Sequence, residues 1–217
     1  MNSTKSDWLV PAALIALSLV PAVAGTARLV QLAAGAPAVP EDVRFFAAPL
    51  PVVLHILAVI PYSIVGALQF SRGIRRRHRA WHRAAGRVLA ALGLVAAVTG
   101  LWMAHYYPWP PWDGYALYVI RLVVGTAMAA SILLALAAVR RRDFASHGEW
   151  MTRAYAIGLG AGTQVFTHLP WFVLASGKPG VVPRAIMMGA GWAINIVVAE
   201  WVIQRRRVRA GAVLATA

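Results

Sequence analysis

The chain has 217 residues, 60% apolar and only 13% charged, with a net charge of +14 and no cysteine. Soluble domains carry about a quarter charged residues, so this balance points to lipid, and the lack of cysteine excludes disulfides, thiolate metal sites and cysteine nucleophiles. A nucleic-acid role is excluded by where the charge sits, because the basic residues fall in short clusters between bilayer-length apolar runs.

A helix needs about 20 apolar residues to cross the hydrocarbon core. Six stretches qualify, at residues 8–30, 46–70, 88–107, 115–139, 151–175 and 184–203. The expected fold is therefore an all-α polytopic bundle of six transmembrane helices. It divides into a first span with its outer loop (1–45), a five-span core (46–203) and a basic cytoplasmic tail (204–217) expected to be disordered after Arg209. Lys5, an apolar run and then Ala22-Val23-Ala24 also have the form of a signal peptide. We read that segment as retained; its cleavage would leave five spans.

Topology follows from the basic residues. With the N-terminus inside, sixteen Lys and Arg fall on that side and four (Arg28, Arg44, Lys178 and Arg184) on the other, while Arg121 lies within a span. The positive-inside rule then places both termini in the cytoplasm of a bacterial inner membrane. The outer loop His105-Tyr106-Tyr107-Pro108-Trp109-Pro110-Pro111-Trp112 supplies the aromatic belt expected at headgroup level. Gly158, Gly160 and Gly162 cluster in the fifth span, where small residues let helix backbones approach closely. Pro51, Pro61 and Pro170 are expected to kink their helices.

Polar residues inside a bilayer are costly, so each needs an explanation. His55 in the second span and His168 in the fifth both fall in the outer half, roughly 5–8 Å from mid-span at 1.5 Å per residue. Two imidazoles at similar depth suit the two faces of a haem b. Gly66, eleven residues from His55, shares its helix face and would leave room for a flat macrocycle. Arg121 would meet a propionate, and His105 is a substitute ligand. The plainer alternative has the histidines bonding to neighbouring helices and Arg121 reaching the headgroups.

A second cluster lies on the inner side. His78 and His82 are four apart in an arginine-rich turn, and with His147 and Glu149 they offer a divalent metal site. His82 and His147 alternatively suit a second haem. Seven arginines around this turn oppose a bound cation and favour lipid phosphate instead. Glu200 and Arg153 fall at matching depth and suit an ion pair. No Walker loop, Rossmann glycine pattern, His-Glu-x-x-His or Gly-x-Ser-x-Gly occurs.

Four marks carry a resemblance. They are His55 with Gly66-x-x-Gln69-Phe70; His82-Arg83-x-x-Gly86-Arg87; Arg121; and His147-x-x-Trp150-Met151-x-Arg153-x-Tyr155. Over about residues 46 to 203 the chain resembles a family of bacterial predicted membrane proteins known only as a domain of unknown function. That resemblance implies several spans and no established activity. A looser likeness is to the di-haem cytochrome b561 type, from which this chain departs by holding its inner histidines at or beyond the span ends. Three functions follow as expectations. The first is electron transfer through haem b, with a quinone or a redox partner protein. The second is a non-enzymatic transporter or assembly partner with structural histidines. The third is a metal-dependent membrane enzyme using the inner histidines.

Overall fold

A computed structural model describes residues 3–35, 37–175 and 177–215, with side chains from 7 to 212. Lys5, counted among the inner charges, lies outside the described side chains, and the last two tail residues lie outside the described chain. The described residues are helical, with no strand.

Among the described residues five helices are long and apolar enough to cross a membrane. They are α1 (Ser3–Ala34), α3 (Pro49–Leu68), α5 (Arg79–Tyr106), α6 (Tyr115–Arg140) and α9 (Val181–Ala215). Short helices α2 (Val43–Ala47) and α4 (Arg72–Arg77) lie in the connections. Val23, Val123 and Val197 are 68%, 61% and 67% exposed, a surface that only lipid covers without cost. The chain is an integral, multi-pass membrane protein.

The remaining predicted span, residues 151–175, is not one helix. It forms α7 (Phe144–Gly158) and α8 (Gly160–Leu174), interrupted at Leu159 between two glycines. By contrast α3 and α8 run through Pro61 and Pro170 as single helices. Carbonyls freed at a break inside lipid need partners. Asn195 of α9 supplies one, donating from Nδ2 to Ala156 O at 3.0 Å while its Oδ1 accepts from the Thr163 hydroxyl at 2.7 Å.

Two further expectations change. Helix α5 begins nine residues before the predicted third span, so the basic turn from Arg79 onward is helical. The residues after Arg209, expected to be disordered, continue α9 through Ala215. Both extensions are rich in arginine and alanine and hold no proline, and a helix already nucleated in the bilayer propagates at little cost.

The core is built on two tyrosines seated in glycine notches. A Cβ on Gly93 or Gly158 would stand 2.6 or 2.7 Å from the Tyr62 ring, and one on Gly66 would stand 2.7 Å from Tyr155. Tyr62 is 1% exposed, and Tyr155 donates its hydroxyl to Ser63 O at 2.5 Å. Close backbone approach of this kind is how helices associate where apolar burial gives no drive.

Helices α3, α5, α6, α7 and α9 form the packed core, and α1 lies across α3 and α8. One end of the bundle collects the aromatic loop of residues 105–118 and the other collects the arginine turns. These are called below the aromatic end and the arginine end.

Candidate functional site

A cavity of about 440 Å³ opens beside the Leu159 break, on the aromatic side of the Tyr62 core. Its walls come from α1, α3, α5, α6, the α7–α8 junction and α9, and its polar lining includes His55, Arg44 and Arg121. Ser18, Pro21 and Gly25 place α1 in that wall. Glycines make the space: a Cβ on Gly100 would stand 3.4 Å from His55 Cε1, and one on Gly162 would strike Leu17 O of α1 at 2.3 Å.

His55 is fixed by α5. Its Nδ1 lies 2.9 Å from Ala96 O and 3.1 Å from Thr99 Oγ1. A carbonyl only accepts, so Nδ1 carries the proton and a neutral ring presents its Nε2 lone pair elsewhere. Nε2 makes no hydrogen bond among the described residues, and His55 lines the cavity.

Charge gathers at the aromatic end. Arg121 donates to Asp113 Oδ2 and Arg184 to Asp113 Oδ1, each at 2.6 Å. Arg28 pairs with Asp42 at 2.7 Å, and Gln31 donates to the same carboxylate at 2.9 Å. The Arg28 hydrogen bond holds the Asp42 carboxyl below its usual range. Arg44 has no carboxylate of its own. It donates to Pro108 O at 3.1 Å and lies over the Phe45 ring, and its Nε is buried without a partner. Burial pulls the Arg44 guanidinium below its ordinary value; Asp113 pulls the other way.

Of the other residues named for haem, Arg121 lines this cavity, while His168, Gly66 and His105 stand apart from it. His168 bonds Gln164 O of its own helix at 2.7 Å, stacks on Phe172, and is not among the cavity residues. Gly66 makes room for Tyr155 rather than for a macrocycle. His105 bonds the Tyr118 hydroxyl at 2.8 Å. Arg121, expected to meet a propionate, meets Asp113.

At the arginine end no group of three or more His, Asp or Glu side chains assembles among the described residues. Glu149 is held by Arg207, with Nε 2.6 Å from Oε1, and lies 4.0 Å from Arg153. His147 bonds Ala135 O at 3.0 Å, His78 is exposed, and His82 Nδ1 is buried without a partner. Arg153 and Glu200 form a two-pronged pair, at 2.5 Å from Nε and 2.9 Å from Nη2.

The family described as "Predicted membrane protein (DUF2306)" matches residues 52–203. The chain belongs to it. The match covers α3 to most of α9 and leaves out α1, so one cavity wall lies outside the part that defines the DUF2306 family. No curated protein and no solved structure matches the chain. Sequence reasoning passed over Arg44 and Asp113. Asp113 stands eight residues before Arg121, a spacing that could have named the partner.

Proposed function

We propose that this chain is a non-enzymatic membrane binding protein or carrier. Its cavity takes an amphiphile with an anionic end, held by Arg44 and Arg121, with the apolar body against the helix break. The observation that carries this reading is the Arg44 guanidinium, buried at Nε without a partner beside a cavity that is otherwise mostly apolar. A half-buried cation beside an apolar cavity, without a carboxylate of its own among the described residues, calls for an external anion. Broken helices lining a cavity are the arrangement through which transporters hold substrates.

Native mass spectrometry of the detergent-purified protein tests it. An anionic amphiphile should co-purify with the full chain and be lost from Arg44→Gln and Arg121→Gln. Retention of the same ligand by both variants sinks the reading.

A second reading is favoured by one specific feature, the His55 ring whose Nδ1–H is bound to a backbone carbonyl. That arrangement orients an imidazole as an axial ligand, and haem b is itself an amphiphile with two carboxylates. Here His55 would bind iron, the two arginines would meet propionates, and electron transfer with a quinone or partner protein would follow. His168, seated elsewhere, would not be the second ligand. Protein expressed with ample haem should show a Soret band that His55→Ala abolishes. A colourless protein removes this reading and leaves the first standing.

A further inference from the structure

The arginine end holds a second, separate group of unanswered donors. Four elements bring it together: Gln69 at the end of α3, Arg72 and Arg75 on α4, His82 on α5 and Arg206 on α9. Ser71 fixes α4 beside α3 by accepting the Ile74 N–H at 3.3 Å, and it is 2% exposed. Gln69 reaches toward α5, with Oε1 3.9 Å from where a Cβ on Gly86 would stand, one turn beyond His82. His82 lies within electrostatic reach of Arg75 and His147, and Arg206 within reach of Arg72 and Arg75. Arg206 also approaches the Thr152 hydroxyl at 3.5 Å.

Two of these side chains hold a buried polar atom without a partner, Gln69 Nε2 and His82 Nδ1, and the histidine nitrogen donates when it carries the ring proton. A buried polar atom left unpaired costs about 1–3 kcal/mol, so two within one cluster call for a common acceptor. Among the described residues no side chain is bonded to them. Asp143 caps α7 by accepting the Ser146 N–H, Glu149 is held by Arg207, and Glu200 by Arg153. Asp7 stands beside Gly73 and forms no ion pair with these arginines among the described residues. Three guanidinium groups thus come within electrostatic reach of one another, with Arg75 also in reach of His82, and among the described residues none of the three is in an ion pair.

We propose that Gln69, Arg72, Arg75, His82 and Arg206 form a phosphate-binding site. A phosphate offers several acceptor oxygens and up to two negative charges. It would take up both buried donors and relieve the repulsion among the arginines. A lipid phosphate reaching in at headgroup level and a soluble phosphate present the same chemistry.

The decisive variant is Gln69→Leu, because it removes a donor and leaves the charge unchanged. The full chain in neutral detergent is titrated calorimetrically with inorganic phosphate in one arm and with dihexanoyl phosphatidic acid in the other. Binding in either arm should weaken about tenfold in Arg75→Gln, the scale of a charged hydrogen bond, and by a smaller, measurable factor in Gln69→Leu. The double variant Arg140→Gln, Arg141→Gln removes the same kind of charge from the next basic turn and should keep wild-type affinity. Binding in the lipid arm alone assigns a headgroup, and binding of inorganic phosphate assigns a soluble ligand. The site is refuted if neither probe binds, if Gln69→Leu binds as wild type does, or if the Arg140/Arg141 variant loses as much as Arg75→Gln.

Discussion

At the aromatic end, Arg28, Arg121 and Arg184 are tied to Asp42 and Asp113, while Arg44 is left over beside a cavity. At the arginine end, Glu149 and Glu200 are taken by Arg207 and Arg153, while Arg72, Arg75 and Arg206 are left over at a surface. Both ends carry cations in excess of acids, and the cavity beside the Leu159 break lies toward the aromatic end. The difference lies in the backbone. The glycine-flanked break at Leu159 lies beside the cavity on the aromatic side, whereas α5 and α7 begin as unbroken, exposed or half-buried helix at the arginine end. An excess cation beside a cavity selects a ligand by shape as well as charge; one at a surface selects mainly by charge.

If the break sets this contrast, damage there should have the largest effect. Gly162→Val must push α1 aside, because the obstacle is the Leu17 backbone oxygen rather than a flexible side chain. Overpacking costs about 1–3 kcal/mol where a core can adjust, and this site has little room to do so. Thermal unfolding in detergent should fall by at least that equivalent, and limited proteolysis should reach α1. A wild-type melting point would show that α1 does not close the cavity.

Asn195→Leu should come next. It strips the partner from Ala156 O and from the Thr163 hydroxyl, both at the break. The expected loss is about 1–2 kcal/mol, with faster hydrogen exchange confined to residues 156–163. Exchange that rises evenly along α7 and α8 would mean that Asn195 does not act at the break.

The spans were legible because bilayer thickness translates directly into the length of an apolar run. The break was not. Three glycines within five residues read equally as a packing surface or an interruption, and the groups that decide between them, Trp192 and Leu17, come from distant helices. The same break explains why depth along the chain misplaced His168. Depth is additive along an axis, but the face a residue presents depends on an unbroken helical phase, and α8 starts a new phase at Gly160. Gly66 failed for a related reason: its face was read correctly as needing space, but nothing in a single sequence says that Tyr155 fills it. Arg153 and Glu200 were readable together because each lies near the same end of its own continuous helix.

That pair gives a smaller expectation. A fully buried ion pair broken on one side costs about 3–5 kcal/mol, but 39% of the Glu200 side chain is open to the surroundings of the bundle. A double-mutant cycle with Arg153→Gln and Glu200→Gln should therefore return a coupling of about 1 kcal/mol, nearer the value for exposed pairs. A coupling near zero would mean that the two side chains are held by their other neighbours, among them Trp150 beneath Arg153.

The smallest effect should fall on Gly148, and its sign separates the two ends. Gly148 lies inside α7 near the arginine end, and a Cβ there would meet nothing within 4 Å. Ten residues further along the same chain, a Cβ on Gly158 would strike Tyr62. Helix propensity alone then governs Gly148→Ala, which should stabilise by up to about 1 kcal/mol, whereas Gly158→Ala should destabilise by an opposed packing cost. Equal destabilisation by the two would mean that the arginine end is packed as tightly as the core, and the open site proposed there for phosphate would have no room to form.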